Sequence, residues 1–143
     1  HCALSGGQTG RCRARGNRDG EVVSLSYGRV TSIALDPVEK KPFARWQSGK
    51  FILSVGTFGC NLSCPFCQNH SISMHGENEV RTVEYSPQEL AELACRIPEN
   101  LGIAFTYNEP LMNYEFILDT APLLKQHNLK TVIITSGSLA PKY

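Results

Sequence analysis

Cys60, Cys64 and Cys67 fall within eight residues on Gly56-Thr57-Phe58-Gly59-Cys60-Asn61-Leu62-Ser63-Cys64-Pro65-Phe66-Cys67, a C-x3-C-x2-C arrangement in a glycine-containing loop. The chain has six cysteines in 143 residues, enough for three disulfides in a secreted protein, but this crowding favours a metal centre. Three thiolates are one ligand short of a closed four-coordinate site, and an open position is what coordination of a substrate requires. Two centres fit the pattern. One is a structural zinc ion completed by His70, Cys2 or Cys12; the other is a [4Fe–4S] cluster whose fourth iron is left free.

The elements that must position this loop can be read on both sides of it. Phe51 to Val55 is a short apolar run without polar alternation, as expected of a strand covered on both faces. Ser86-Pro87-Gln88-Glu89 supplies a capping serine, a first-turn proline and a reciprocating glutamate, and Leu90, Leu93, Ala94 and Ile97 follow at helical spacing. Cys95 falls off that stripe and reads as a small packed side chain. Gly102 to Tyr107 reads as a second strand, Asn113 to His127 as a helix bent by Pro122, and Lys130 to Thr135 as a third strand. Successive βα units with strands this apolar imply an α/β fold with a parallel sheet. The loops after its strands begin at Gly56, Tyr107 and Ser136 and gather at one edge, where such folds keep their active sites.

The first fifty residues differ in character. They carry nine Lys and Arg against four Asp and Glu, whereas residues 51 to 143 carry five against nine. Residues 1 to 17 read as an irregular loop, Glu21 to Tyr27 and Arg29 to Leu35 as a hairpin turning at Tyr27-Gly28, and Asp36 to Pro42 as a surface linker. The expected organisation is therefore a small β appendage over residues 1–50 and a catalytic core over residues 51–143.

The cysteine spacing, with Phe66 just before the last cysteine on the loop after the first strand, resembles the radical S-adenosylmethionine (SAM) superfamily. Phe105-Thr106-Tyr107-Asn108-Glu109-Pro110 is similar to the segment that binds the methionyl amino group in relatives of pyruvate formate-lyase activating enzyme. Asp36-Pro37-Val38-Glu39-Lys40-Lys41-Pro42, Ser54 to Asn61, Cys67-Gln68-Asn69 and Ile72-Ser73 resemble the radical SAM member of the AmmeMemoRadiSam system. The resemblance runs from Cys2 to about Leu139. It departs at Thr135-Ser136-Gly137, where relatives often have Thr-Asn-Gly, and at the N-terminus, where they have further cysteines upstream.

The resemblance implies the first half of a partial (βα) barrel. The chain starts at His1 and stops directly after a strand-like run, which reads as a fragment of a longer protein. The resemblance also implies that Cys60, Cys64 and Cys67 ligate three irons of a [4Fe–4S] cluster while SAM chelates the fourth. Glu109 would then hold the SAM ammonium, Phe66 would pack near the adenine, and Thr135 and Ser136 would meet the methionyl or ribose part. The implied reaction is reductive cleavage of SAM to a 5′-deoxyadenosyl radical that abstracts hydrogen from an unidentified substrate, with a protein such as a glycyl-radical enzyme among the candidates. The electron would come from flavodoxin or ferredoxin. Glu109 has a second reading from its position alone, as the residue that starts the following helix.

Other functions compete. Arg11, Arg13, Arg15 and Arg18 read as a solvated surface, but they keep open a zinc-stabilised nucleic-acid-binding module and a radical SAM RNA-modifying enzyme. No base-stacking aromatics interleave with them, so nucleic acid is not the expected partner. No apolar run approaches the length of a membrane span, and the expected location is the cytoplasm.

Overall fold

Asp19-Gly20 sets the turn of the first hairpin. The computed structural model describes residues 2–43 and 45–138. In it, Asp19 and Gly20 have φ angles of 53° and 91°, the left-handed pair that a tight turn between right-twisted strands needs. They join β1 (Arg15–Arg18) to β2 (Glu21–Ser24) in an antiparallel hairpin. The hairpin therefore lies one step earlier than expected. Tyr27-Gly28 instead leads into β3 (Arg29–Val30), and Gly28 is pressed so close to the Tyr85 carbonyl that an added Cβ would stand 2.6 Å from its oxygen.

The next strand, β4 (Ser32–Pro37), runs antiparallel to β5 (Phe51–Gly56), with Asp36 opposite Ile52. Asp36 is thus a buried strand residue and not part of a surface linker. A short helix, α1 (His70–Ser73), follows the cysteine loop, and β6 (Val83–Glu84) returns to pair with β3. Helix α2 (Pro87–Arg96) starts with the expected capping box: the Ser86 hydroxyl accepts from the Glu89 amide at 3.2 Å, and the Glu89 carboxylate accepts from the Ser86 amide at 2.8 Å. Loss of such a cap costs about 1 kcal/mol. Then come β7 (Asn100–Phe105), a 3-10 turn over Pro110–Asn113, α3 (Tyr114–Gln126) with Pro122 inside it, and β8 (Lys130–Ile133).

The main sheet has the order β4-β5-β7-β8. Its last three strands are parallel, as the apolar runs predict, but β4 makes the sheet mixed. One face packs Leu53, Val55, Ile103 and Phe105 against Leu90 and Ala94 of α2 and Phe116 and Leu124 of α3. The other brings Ile52 and Ala104 against Val38, Phe43 and Trp46. The segment following β4 is therefore a cover for the sheet. Each fully buried Leu, Ile or Phe contributes about 1.5–3 kcal/mol, which makes these two layers the main support of the strand ends. Among the described residues the sheet is open, with β4 and β8 as its outer strands, and no helix is long and apolar enough to cross a membrane. Cys95 is exposed on α2, not packed, because it points away from the stripe that meets the sheet.

Candidate functional site

The C-terminal ends of β5, β7 and β8 open onto one pocket of about 220 Å³. Its walls include Cys60, Cys64 and Cys67 from the first loop, Tyr107, Asn108 and Glu109 from the second, and Thr135 and Ser136 from the third. Parallel strands make this convergence unavoidable, since all three loops leave the same edge of the sheet.

The β7 loop ties the site together. The Asn108 carboxamide donates to Thr57 Oγ1 at 3.0 Å, to Phe58 O at 3.2 Å and to Gly59 O at 2.8 Å, while its own oxygen accepts from the Thr57 amide at 3.3 Å. These bonds fix the start of the cysteine loop. From the other side Gly59 rests on the N-terminal segment: at φ 77° an added Cβ would stand 2.4 Å from Cys12 O and 2.8 Å from Ala14 N. Only glycine fits that contact.

Glu109 is buried, at 4% exposure, and its carboxylate accepts from Thr135 Oγ1 at 2.7 Å, the Ser136 amide at 2.9 Å, the Ser136 hydroxyl at 2.8 Å and the Leu111 amide at 3.1 Å. The Leu111 bond is the helix-start role read from the sequence, here made to a 3-10 turn. Four donors fill the acceptor sites of a carboxylate, but all four are neutral. Among the described residues no Lys, Arg or His pairs with it. A buried carboxylate with dipoles but no counter-charge is well suited to receive a cation from the pocket. Thr135 and Ser136 line the pocket and act there as donors to Glu109.

The thiols share the pocket without closing on one point. Cys60 Sγ accepts from the Leu62 amide at 3.4 Å, and Cys67 Sγ lies 3.3 Å from the buried Ser73 hydroxyl. Among the described residues no three His, Cys, Asp or Glu side chains are arranged to hold a single metal ion. Cys60 and Cys67 thus each turn to a local partner. An iron–sulfur cluster takes each thiolate on a different iron, so it asks for three soft ligands around a pocket, which these residues supply. Burial pushes the Cys60 thiol up, the Glu109 carboxylate and Cys67 add to that, and main-chain groups of Leu62 and Glu109 oppose it. Binding a metal there must release the proton.

The remaining candidates separate cleanly. Phe66, expected near the adenine, is 82% exposed and does not line the pocket. His70 is exposed at the start of α1 and does not line the pocket, nor do Cys2 and Cys12, whose sulfurs lie beside Gly10. Arg15 forms a two-pronged pair with Glu115, and Arg18 and Arg29 both reach Glu77, at 2.8 and 3.3 Å. Arg15 and Arg18 therefore knit the appendage to the core and are not a free cationic surface. Sequence reasoning quoted Tyr107, Asn108 and Ser73 within its motifs but gave none of them a role of its own. Their place directly beside the cysteine and glutamate motifs was the available signal.

Residues 54–143 match the radical SAM superfamily. An uncharacterized protein of Methanocaldococcus jannaschii is 37% identical over 137 residues, covering 96% of this chain and 41% of that protein. The chain thus spans about two-fifths of the length of the curated relative it matches. No solved structure matches it significantly.

Proposed function

The chain belongs to the radical SAM superfamily, and on that premise we propose that its pocket holds a [4Fe–4S] cluster on Cys60, Cys64 and Cys67 and binds SAM beside it. When bound, the two together supply one-electron cleavage of SAM to a 5′-deoxyadenosyl radical. The observation that carries the residue assignment is the shared pocket, with three thiols on one wall and the uncompensated carboxylate of Glu109 on another.

Each residue then has a role. The thiolates anchor the iron, and Glu109 holds the SAM ammonium by a charge-assisted hydrogen bond. To do so it gives up one of its four donors. The Thr135 and Ser136 hydroxyls can make that exchange, since a hydroxyl rotates freely while the two amides stay in place. Asn108 keeps the cysteine loop at its distance from Glu109. Phe66, exposed beside Cys67, is free to cover the adenine. On this reading the enzyme works in the cytoplasm with a flavodoxin or ferredoxin as electron donor on a substrate still to be identified, a protein, as for a glycyl-radical activase, being one candidate.

Anaerobic reconstitution tests the reading. It should give a brown protein with about four irons per chain that cleaves SAM once reduced. A colourless protein holding one zinc through the cysteines would overturn it.

A further inference from the structure

Tyr107 is a bulky residue with φ 73°, in the left-handed region that such side chains rarely adopt, and it sits immediately before Asn108 and Glu109. A backbone of this kind persists only where the surroundings over-determine it. Here they do. The Tyr107 hydroxyl donates to Asp36 Oδ2 at 3.0 Å, and the ring lies so close to Gly56 that an added Cβ there would meet ring atom Cδ2 at 2.8 Å. The Lys41 ammonium stands 5.5 Å from the ring centroid. Asp36 is itself fixed, accepting from Ser54 Oγ at 2.7 Å, Lys41 Nζ at 2.9 Å and Lys40 Nζ at 3.0 Å.

Three consecutive side chains of the β7 loop thus reach three different elements. Tyr107 reaches Asp36 on β4, Asn108 reaches the start of the cysteine loop, and Glu109 reaches the residues after β8. The phenol is the only one of the three grips that holds a strained backbone residue. Released, Tyr107 would relax toward negative φ and turn the next two residues with it.

We propose that Tyr107 and Asp36 are positioning residues: by pinning the Tyr107 phenol to β4, the pair aims Glu109 at the pocket and sets how strongly it holds the ammonium of SAM. This rests on the reading of Glu109 given above. The competing explanation is that the hydrogen bond merely stabilises the fold. Lys40 separates the two, because its ammonium bonds Asp36 at the other oxygen, Oδ1, at 3.0 Å and makes no bond to the β7 loop.

The test compares Tyr107→Phe, Lys40→Met, Glu109→Gln and the Tyr107→Phe/Glu109→Gln double variant in the intact protein. Hydrogen exchange of the Ser136 amide, which donates to Glu109, needs no cofactor. It should speed up about tenfold or more in Tyr107→Phe and stay at the wild-type rate in Lys40→Met. On cluster-loaded protein, Tyr107→Phe should weaken SAM binding about tenfold at unchanged iron content. The double variant should bind no more weakly than Glu109→Gln alone. Unchanged Ser136 exchange in Tyr107→Phe, equal acceleration in Lys40→Met, or additive losses in the double variant would overturn the proposal. If wild-type protein carrying its cluster fails to bind SAM, the reading of Glu109 falls, and Ser136 exchange still decides whether Tyr107 positions it.

Discussion

Glu109 and Ser136 are joined twice, by the Ser136 amide at 2.9 Å and its hydroxyl at 2.8 Å, both to Oε2. Through that pair the end of β7 is fastened to the end of β8, and the carboxylate is held with two donors on each oxygen. The arrangement preserves the negative charge in a buried place. It also means that any group replacing the carboxylate is judged by those donors as well as by the ligand.

Glu109→Gln follows directly. The amide keeps one acceptor oxygen but turns an NH2 toward either the Ser136 amide or the Thr135 and Leu111 donors, and an unsatisfied buried donor costs about 1–3 kcal/mol. The variant should therefore melt earlier, assemble its cluster, and bind SAM more weakly by about 1.5–3 kcal/mol, the worth of a hydrogen bond to a charged group. Unchanged SAM affinity on fully loaded protein would leave Glu109 only as the residue that starts the 3-10 turn.

Single Ser substitutions at Cys60, Cys64 or Cys67 should abolish cluster assembly and SAM cleavage. A serine hydroxyl is scarcely ionised near neutral pH and is a harder ligand than thiolate, so one of only three anchors is lost. Cys95→Ser should leave iron content and cleavage intact, since that thiol is exposed on α2 and does not line the pocket. Iron loss in the Cys95 variant would be the contrary outcome.

What the sequence showed was what is written locally. The cysteine spacing, the capping box at Ser86 and the apolar runs of β5, β7 and β8 each depend on neighbours a few residues apart. The Asp19-Gly20 turn is equally local, and an Asp-Gly pair is a stronger hairpin signal than Tyr27-Gly28. The pairing of β4 with β5 and the bond from Tyr107 to Asp36 are of another kind. They join residues far apart in the chain, and nothing in Asp36-Pro37 or Tyr107-Asn108 taken alone distinguishes a buried anchor from a surface turn.

Gly59→Ala should be among the most damaging single methyl additions in the chain. It combines left-handed backbone at φ 77° with main-chain atoms 2.4 and 2.8 Å from the new carbon, and none of those atoms belongs to a flexible side chain. A loss of about 3 kcal/mol or more is expected in urea unfolding, in the upper part of the range for point mutants. Gly20→Ala, with nothing within 4 Å of its Cβ, carries only the backbone strain and should cost about 1 kcal/mol. Equal costs at the two positions would show that the cysteine loop does not rest on the N-terminal segment as described.

Asp36 should make stability fall in acid. Burial would raise its pKa, but hydrogen bonds from Ser54, Lys41 and Lys40 outweigh burial and hold it well below the usual carboxylate range. A carboxylate depressed in the folded state contributes stability that is fully present above the unfolded value, about 3.9, and is lost as pH falls toward the folded one. Asp36→Asn removes that titration, so its unfolding free energy should vary less than wild type's below about pH 4. The variant should also be weaker at pH 7 by about 3–5 kcal/mol, because Lys41, with its side chain 5% exposed, is left buried without a counter-charge. Parallel urea titrations of the two proteins at pH 7 and pH 3 measure both effects. Curves that fall equally between the two pH values would mean that carboxylates other than Asp36 carry the acid sensitivity.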